Sequence, residues 1–549
     1  MEKKYLGLGV LLPGMALGEN SAEEEKKDNR PNIILIVADD LGYSDLGAYG
    51  GEIHTPNIDK LAYEGIRFRQ FYNNSISAPT RASLLTGQYA TKAGIGYFSV
   101  NLGLPAYQGF LNKESLTLGE VLHQGGYQTY LSGKWHVGEN KEGNKYPVDR
   151  GFDHSFGILG GASTYFYGNG YAGAVNPGPL VRDKEVISCS EDSNFYFTDE
   201  ITEHAIQYIN DAQKKKNPFF LYLAYTAPHW PLQARTEDIA LYKGRYDVGW
   251  DTIRKQRKQR LKDLELIGDG VTVAEKDSDV PPWKDLTREE KKLWAEKMEI
   301  YAAMVTRMDS GIGAVIRTLR EVGELENTLI LFMSDNGAPA EEVAGQFGKV
   351  VNSGPIGTAG SFESQGVQWS HVSNTPFRGY KSYAYEGGIC SPFIAWYPKH
   401  ISGNEIVDGR GHIIDIAPTL YEIAKVDYPT HFNNTVSHKL PGKSLEKVLY
   451  TQTELDNRPL FWERAGNKAV RYGKYKLVSI YPSYKWQLYD LEKDGGETND
   501  ISSENLEIVE FLTFLYFDWA IQNDVVPFDL IRPKEPLLKP VHERGHTVY

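Results

Sequence analysis

Cysteine is almost absent from this sequence. The 549 residues include two cysteines, Cys189 and Cys390, which are too few for a disulfide framework or for a zinc site built on cysteine. The two thiols could form one disulfide in an oxidising compartment, or both could be buried and unpaired. Neither arrangement supports a cysteine nucleophile, so a nucleophile has to be sought among other residue types.

Excess positive charge and long apolar stretches are lacking as well. The chain has 59 Lys and Arg against 72 Asp and Glu, a net charge of -13, which disfavours sequence-independent nucleic-acid binding because such binding depends on basic surface. An anionic substrate would therefore need a local basic pocket. After residue 18 no stretch is apolar over the length of a membrane-spanning helix, and we predict no integral membrane span.

The first residues have the order of features found in secretory signal peptides. Lys3 and Lys4 precede a mostly apolar run over residues 5–17, and Ala16-Leu17-Gly18 offers a cleavage site of small residues. We predict a signal peptide over residues 1–18 and export of the mature protein. A disordered tail is the alternative.

The remaining chain is predicted to form two domains after a charged spacer over residues 19–29. Residues 30–445 contain several apolar runs typical of buried strands, alternating with helical patterns. Residues 446–549 have a different hydrophobic pattern, with short alternating strand candidates separated by Gly or Pro turns. An amphipathic helix is predicted over residues 506–521 of this smaller domain.

Two apolar segments end in pairs of oxygen-bearing side chains. Residues 32–37 and 328–333 are nearly continuous apolar runs, the pattern of strands buried on both faces of a parallel sheet. Asp39-Asp40 follow the first run and Asp335-Asn336 follow the second, and ligand sites of open α/β sheets lie at the carboxyl ends of strands. These four side chains predict a site for one hard divalent cation. The aspartate pair alone could equally be a turn and a helix cap.

Two further strand ends carry side chains that can bind anions or move protons. A strand candidate over residues 127–131 is followed by Lys134 and His136, which in extended chain point to the same side. Lys134 could bind an anionic oxygen, and His136 could move a proton near neutral pH. His229 follows a third apolar run and is held in a segment stiffened by prolines. Taken alone, each could be an ordinary surface lysine or half-buried histidine.

Residues 77–88 have the sequence Ser-Ala-Pro-Thr-Arg-Ala-Ser-Leu-Leu-Thr-Gly-Gln. Pro79 is expected at the first helical position, and Gly87 can end the helix. Ser77 would then lie at a helix N-terminus, where free N–H groups favour a negative group. Arg81 adds a fork of donors suited to a tetrahedral oxyanion. A plain helix start with a serine cap is the alternative.

The same segment resembles the signature of the type I sulfatases, Cys/Ser-x-Pro-Ser/Thr-Arg followed by Leu-Thr-Gly, in the alkaline phosphatase superfamily. Gln88 departs from the basic residue usual at the end of that motif. Blocks around Asp39, Lys134, His229, Asp335 and Lys381 also resemble the family, in the expected order over about residues 30–525. The resemblance implies an α/β fold with a large mixed, mostly parallel sheet sandwiched by helices, and a smaller C-terminal antiparallel sheet plus helix.

The resemblance also implies hydrolysis of sulfate esters through a modified residue. In the family the Cys or Ser becomes formylglycine (3-oxoalanine), and Ser77 is similar to the bacterial form that a radical maturing enzyme oxidises. One oxygen of the hydrated aldehyde, held by Ca²⁺, attacks sulfur. The implied metal ligands are Asp39, Asp40, Ser77, Asp335 and Asn336. The implied catalytic residues are Ser77, Arg81, Lys134, His136, His229 and Lys381.

Roles within this set follow from the same resemblance. Arg81, Lys134 and Lys381 are expected to offset charge on the sulfuryl oxygens. His229, with Lys381, is expected to protonate the leaving alcohol. His136 is expected to take the proton whose loss expels sulfate and restores the aldehyde.

The resemblance and the predicted export suggest sulfated carbohydrates, such as mucin-type glycans or glycosaminoglycans, as substrates in the periplasm or at the cell surface of a bacterium. Trp369, His371 and Arg464 are predicted to bear on substrate choice, with ordinary packing as the alternative. A basic stretch over residues 254–262 predicts a solvated helix face, or else contact with a sulfated polymer. Two other functions stay open: a phosphomonoester or phosphonate ester hydrolase of the same superfamily, and an inactive glycan-binding relative.

Overall fold

A computed structural model describes residues 28–138, 145–166, 180–187, 194–343, 352–451 and 457–533, together with Met1, Thr453 and Leu455. The strands in these ranges are β1 Asn32–Ala38, β2 Ile66–Tyr72, β3 Gln128–Lys134, β4 His154–Ile158, β5 Leu180–Arg182, β6 Glu185–Val186, β7 Phe219–Ala224, β8 Thr328–Ser334, β9 Cys390–Ser391, β10 Phe393–Trp396, β11 Glu405–His412, β12 His431–Phe432, β13 Thr435–Val436, β14 Leu460–Arg464, β15 Asn467–Tyr472, β16 Tyr475–Ser479 and β17 Trp486–Asp490.

One large sheet organises the described chain. Its strand order is β11-β2-β10-β8-β1-β7-β3-β4-β5-β6, and β9 pairs with β2. Strands β8, β1, β7, β3 and β4 are parallel, with Ile33 of β1 opposite Phe220 on one side and Leu329 on the other. Strand β10 runs antiparallel to both of its neighbours. The sheet is therefore mixed and mostly parallel, and parallel neighbours bring their carboxyl ends to one edge.

Helices cover both faces of this sheet. The helices are α1 Pro56–Glu64, α2 Ser77–Thr86, α3 Ala90–Ala93, α4 Leu118–Gln124, α5 Phe197–Ala212, α6 Thr236–Ala240, α7 Trp250–Asp263, α8 Arg288–Glu321, α9 Gly366–Ser373, α10 Glu386–Ile389, α11 Ile416–Ala424, α12 Glu446–Thr451, α13 Leu506–Gln522 and α14 Phe528–Ile531. Ile34 and Ile36 of β1 pack with α1, α5 and α8, whereas Ile33, Leu35 and Val37 pack with α2, α4 and α11. Because successive side chains of β1 point to opposite faces of the sheet, this one strand contributes to the cores on both sides.

A second sheet of four antiparallel strands, in the order β14-β15-β16-β17, lies near the C-terminus. Helix α13 packs on it through Leu512, Tyr516 and Trp519, which share a core with Phe461 and Val470 of the sheet. The small sheet also touches the large one, since the Nε1 of Trp462 donates to the carbonyl of Asn73 at 2.7 Å. Together with the large sheet and its helices, this confirms the predicted fold class.

Two details differ from expectation. Helix α2 begins at Ser77, so Pro79 is its third residue and not its first, although it still lies in the first turn, where a missing N–H costs no intrahelical bond. The basic stretch of α7 is only partly solvated. Arg257 is fully buried and pairs with Asp45 at 2.6 Å and Glu52 at 2.8 Å, so a solvated face is the wrong description for that residue.

Some predictions lie outside the described residues. The signal peptide, Cys189 and a disulfide with Cys390 belong to this group, while Cys390 itself is buried with a free thiol among the described residues. None of the helices in the described ranges has the length and apolar character needed to cross a membrane.

Candidate active site

Ser77 lies where two strand ends and a helix start meet. It is the first residue of α2, and its Oγ donates to Asp39 Oδ1 at 3.0 Å. The same Oγ lies 3.4 Å from Asn336 Oδ1. The residue is 2% exposed. The predicted position at a helix N-terminus is confirmed, and the serine oxygen faces the oxygen-bearing side chains of both strand ends.

Four oxygen-bearing side chains form one buried cluster because β1 and β8 are parallel neighbours. Ala38 lies opposite Ser334, so Asp39, Asp40, Asp335 and Asn336 follow side by side. The amide of Asp40 donates to Asp335 Oδ1 at 3.2 Å, and Nδ2 of Asn336 donates to Asp40 Oδ1 at 2.6 Å. All four residues are fully buried. Asp40 has a φ of 67°, a left-handed conformation that turns the chain at the end of β1.

Each carboxylate of the cluster has its own cation. Arg81 donates from Nε and Nη2 to Asp335 Oδ2 at 3.0 and 2.8 Å. Lys134 Nζ donates to Asp39 Oδ2 at 2.6 Å, and Lys381 Nζ donates to Asp40 Oδ2 at 2.8 Å. These residues come from α2, β3 and the segment before α10. The structure therefore brings together all three cations that the sequence singled out, from widely separated parts of the chain.

Burial and the neighbouring charges shift the pKa values of this cluster in opposite directions. Burial alone would raise the pKa of Asp39, but Lys134, His229 and Arg81 together lower it. Burial and the charge of Asp39 raise the pKa of Asp335. Burial would lower the pKa of Lys381, but Asp40 and Glu341 raise it. Asp39 and Lys381 are thus held in their charged forms.

His229 borders the cluster on the Asp40 side. Its Nε2 lies 3.3 Å from Lys381 Nζ and 3.4 Å from Asp40 Oδ2. Its Nδ1 lies 2.7 Å from the carbonyl of Trp230. Because a carbonyl can only accept, Nδ1 carries a proton in the neutral ring and Nε2 accepts from Lys381. Burial lowers the pKa of His229, against the charge of Asp40.

His136 stands on the other side, after β3. Its Nε2 lies 3.4 Å from Ser99 Oγ, and the ring of Phe98 meets it edge-on at 5.1 Å. Its Nδ1 is buried without a hydrogen-bond partner among the described residues. Burial lowers the pKa of His136 well below its usual value, and Lys134 and Arg81 lower it further. A neutral imidazole with an unused nitrogen can accept a proton.

The three residues predicted to govern substrate choice are placed differently from one another. Trp369 is fully buried, donates from Nε1 to the carbonyl of Trp294 at 2.7 Å, and packs edge-on against Trp250. His371 is also buried, and the charges that act on it come from Arg254 and Lys276. Among the described residues both side chains show the ordinary packing that was the alternative for them, and their part in substrate choice stays a prediction. Their α9 helix turns inward to pack on α7.

Arg464 remains a candidate. Its guanidinium carbon lies 5.6 Å from the centre of the Tyr97 ring, and its charge interacts with Glu341. Glu341 in turn interacts with Lys381 and Asp40, and its Oε2 is buried with no hydrogen-bond partner among the described residues. Arg464 therefore reaches the neighbourhood of the catalytic cluster from the small sheet.

Sequence reasoning missed two polar residues of the site. Tyr222 of β7 accepts from Arg81 Nη1 through its hydroxyl at 3.2 Å, and a tyrosine in an otherwise apolar strand was an available signal. Glu341 follows Asp335-Asn336 on a loop, where no periodic pattern predicts that its Oε2 is buried. Gln88, the departure from the family motif, donates to the carbonyl of Lys439 at 3.1 Å, which is a structural role away from the cluster.

The chain matches known protein families. The family model described as Sulfatase matches residues 31–426. The chain belongs to the sulfatase family. A second family model, described as N-sulphoglucosamine sulphohydrolase, C-terminal, matches residues 379–513 of this sulfatase, a range that includes the small sheet.

Individual relatives cover nearly the whole sulfatase chain. An uncharacterized sulfatase of Schizosaccharomyces pombe is 36% identical, with 95% of this chain and 99% of the relative covered. The arylsulfatase of Klebsiella aerogenes is 37% identical, with 81% and 94% covered. The solved structure of Ps i-CgsB in complex with k-i-k-neocarrahexaose is 27% identical, with a TM-score of 0.67 and 90% and 94% covered. The protein is a sulfuric ester hydrolase that acts on sulfate esters.

Proposed function

We propose that this sulfatase hydrolyses sulfate esters of carbohydrates through a formylglycine made from Ser77, with one Ca²⁺ held beside it. The observation that carries the proposal is the position of Ser77 Oγ, 3.0 Å from Asp39 Oδ1 at the start of a buried helix. A reactive group placed there faces the carboxylate cluster and the cations that balance it.

The cluster fits a hard divalent cation. Asp39, Asp40 and Asp335 with Asn336 offer oxygen donors at adjoining strand ends, the ligand type that Ca²⁺ takes. Within the described residues, one group of acidic, His or Cys side chains has ligand atoms within 4.8 Å of one another: Asp39, Asp40 and His229. We assign His229 to proton transfer and not to the metal, because its Nε2 already faces Lys381 Nζ at 3.3 Å. Ca²⁺, when bound, would supply positive charge that polarises the oxygens it holds.

The three fixed cations would bind the sulfate group. Arg81, Lys134 and Lys381 already neutralise the three carboxylates one by one, so a divalent cation would leave the pocket positive. An anionic sulfate ester suits such a pocket, and fixed donors that need no rearrangement stabilise charge as it moves onto the sulfuryl oxygens. This pocket supplies locally the basic character that the acidic chain lacks as a whole.

Proton transfer is divided between the two histidines. Lys381 and His229 Nε2 form a contact pair at 3.3 Å, from which a proton can pass to the leaving alcohol oxygen. The hydrated aldehyde carries two hydroxyls, and after one oxygen has taken the sulfuryl group His136 accepts the proton of the other. The C–O bond to sulfate then breaks and the aldehyde returns. An unmodified Ser77 could attack once, but its sulfate ester would have no second hydroxyl to expel sulfate.

Sulfated carbohydrates are the substrate class we propose. The resemblance to Ps i-CgsB, which was solved with a neocarrahexaose, supports a sugar substrate. The N-terminal sequence supports export to the periplasm or cell surface of a bacterium, where such polymers are met. The partners are then the sugar sulfate and a radical maturing enzyme that oxidises Ser77.

Turnover of defined substrates, together with the mass of the Ser77 peptide, tests this proposal. Protein made with a maturing enzyme should hydrolyse an aryl sulfate and at least one defined sulfated mono- or disaccharide, and Ser77→Ala made in the same way should hydrolyse neither. Preference for an aryl phosphate would favour a phosphomonoester or phosphonate ester hydrolase of the same superfamily. Binding of the sugar without turnover, from protein with unmodified Ser77, would favour an inactive glycan-binding relative.

A further inference from the structure

A buried lysine of the small sheet lies between two glutamates from other parts of the chain. Lys476, in β16, places its Nζ 2.8 Å from Glu386 Oε1 and 2.8 Å from Glu497 Oε1. All three side chains are fully buried. The amide of Glu386 also donates to Glu497 Oε2 at 2.7 Å. The lysine and the two carboxylates therefore form one closed unit with no access to water.

Glu386 begins the short helix α10, here called the Glu386 turn (residues 386–389), which contacts two segments of the active site. An amide of the turn donates to the carbonyl of Arg378 at 2.7 Å, three residues before Lys381. A carbonyl of the turn accepts from the amide of Gly337 at 3.2 Å, next to Asn336. A Cβ at Gly337 would lie 1.8 Å from a backbone oxygen of the turn. The backbones are thus in contact, and a shift of the turn must move both segments.

The turn also reaches the segment that leads to Ser77. The hydroxyl of Tyr72 donates to Glu386 Oε2 at 2.8 Å, and the amide of Asn73 donates to a carbonyl of the turn at 2.8 Å. Trp462 of the small sheet donates to the carbonyl of Asn73 at 2.7 Å. The small sheet therefore holds the Ser77 segment directly and through Glu386.

We propose that Lys476 is a positioning residue of the sulfatase reaction, which fixes the Glu386 turn and through it the segment that carries Lys381. The inference rests on the proposed contact of Lys381 with the sulfate. Lys476 itself touches neither substrate nor reacting atoms. Its charge holds two carboxylates from separate segments at one point, and a neutral side chain of similar length would leave that point undetermined while filling the same volume.

Removing the lysine need not unfold the protein. Arg471 Nη1 lies 3.9 Å from Glu386 Oε2, so one carboxylate keeps a cation. Burial raises the pKa of Glu497, so a proton can replace the lost charge there. Loss of one partner of a buried ion pair is strongly destabilising, and these two effects reduce that cost.

The test compares Lys476→Met with Lys474→Met. Lys474 lies in the turn between β15 and β16 and pairs with Asp490 at 3.0 Å, but its side chain is 37% exposed. For each variant kcat and KM on an aryl sulfate, thermal unfolding and the formylglycine content of Ser77 are measured. Lys476→Met should lower kcat by about 10²-fold at equal formylglycine content, the effect of small displacements of a catalytic group, while Lys474→Met should match the wild type. If Lys476→Met does not fold, Lys476→Met/Glu497→Gln, which leaves no uncompensated charge, replaces it.

A double variant distinguishes positioning from general structure. If Lys476 acts through Lys381, then Lys381→Ala/Lys476→Met should turn over no more slowly than Lys381→Ala alone. Losses that multiply in the double variant would overturn positioning through Lys381 but leave the proposed function intact. Full activity of folded Lys476→Met would also overturn it. Full activity of Lys381→Ala would instead refute the role of Lys381 in the proposed function.

Discussion

Replacing Lys134 with methionine should lower kcat much more than it lowers the stability of the fold, and the structure gives the size of both effects. Lys134 Nζ lies 2.6 Å from Asp39 Oδ2, and both side chains are fully buried. Removing one partner of a buried ion pair costs about 3–5 kcal/mol. The lower end applies here, because Arg81 Nη2 still faces Asp39 Oδ1 at 3.8 Å. For a chain of this size about 3 kcal/mol lowers Tm by about 3 °C, so the variant should stay folded at 25 °C.

The rate should fall much further than the stability. Loss of one fixed cation aimed at the sulfuryl oxygens should lower kcat by about 10²–10³-fold, as for other preorganised donors of this kind. The assay is kcat on an aryl sulfate with excess Ca²⁺ at equal formylglycine content. Lys297→Met is the matched control, since Lys297 pairs with Glu363 at 2.7 Å and is also mostly buried, but on α8 away from the cluster. Unchanged kcat in Lys134→Met, or an equal loss in the control, would refute the reasoning.

Four further predictions concern the metal ligands, Trp369, Arg464 and Glu463. Chelation should abolish turnover and Ca²⁺ should restore it, because the donors are oxygens; recovery with Zn²⁺ alone would contradict the assignment. Trp369→Ala should lower the free energy of unfolding by about 3–5 kcal/mol with little change in KM. Arg464→Ala should raise KM for a sugar sulfate more than for an aryl sulfate. Equal effects on both substrates would contradict a role of Arg464 in substrate choice. Burial raises the pKa of Glu463 to about 7 from 4.5, so the folded state disfavours its ionised form, and the free energy of unfolding should fall by up to about 3 kcal/mol as pH rises from about 4.5 to 7. Glu463→Gln should remove that slope in urea titrations across this range, and an unchanged slope would exclude Glu463 as its source.

The clustering of oxygen-bearing side chains at the ends of β1 and β8 was predictable from sequence because local pattern and topology agree there. A short apolar run rich in β-branched residues, such as β1, is typical of a strand buried on both faces, and oxygen-bearing residues at its end fall at the edge where parallel strands finish. Asp39 and Asp335 could therefore be placed together before any coordinates. The same argument placed Lys134 and His136 after β3.

The remaining contacts depend on partners that are distant in sequence, which no local pattern predicts. Arg257 lies in a stretch of basic residues, yet it is buried because Glu52, distant in sequence, comes to lie beside it. Lys476 appears as an ordinary strand lysine, and its burial depends on Glu386 and Glu497. Trp369 stands close in sequence to the Lys381 segment, but α9 turns it into the aromatic core beside Trp250. Proximity along the chain was a poor guide there because α9, the helix that contains Trp369, packs on α7.

In the proposed reaction the nucleophile is a hydroxyl of the hydrated aldehyde made from Ser77, and the most direct test is the mass of the Ser77 peptide measured beside the turnover of the same sample. Protein made with a radical maturing enzyme should contain a Ser77 peptide lighter by the mass of two hydrogens, and turnover should rise in proportion to that peptide. Protein made without the enzyme should keep the mass of serine and be inactive while equally folded. Full sulfate ester turnover from protein whose Ser77 is wholly unmodified would contradict the account.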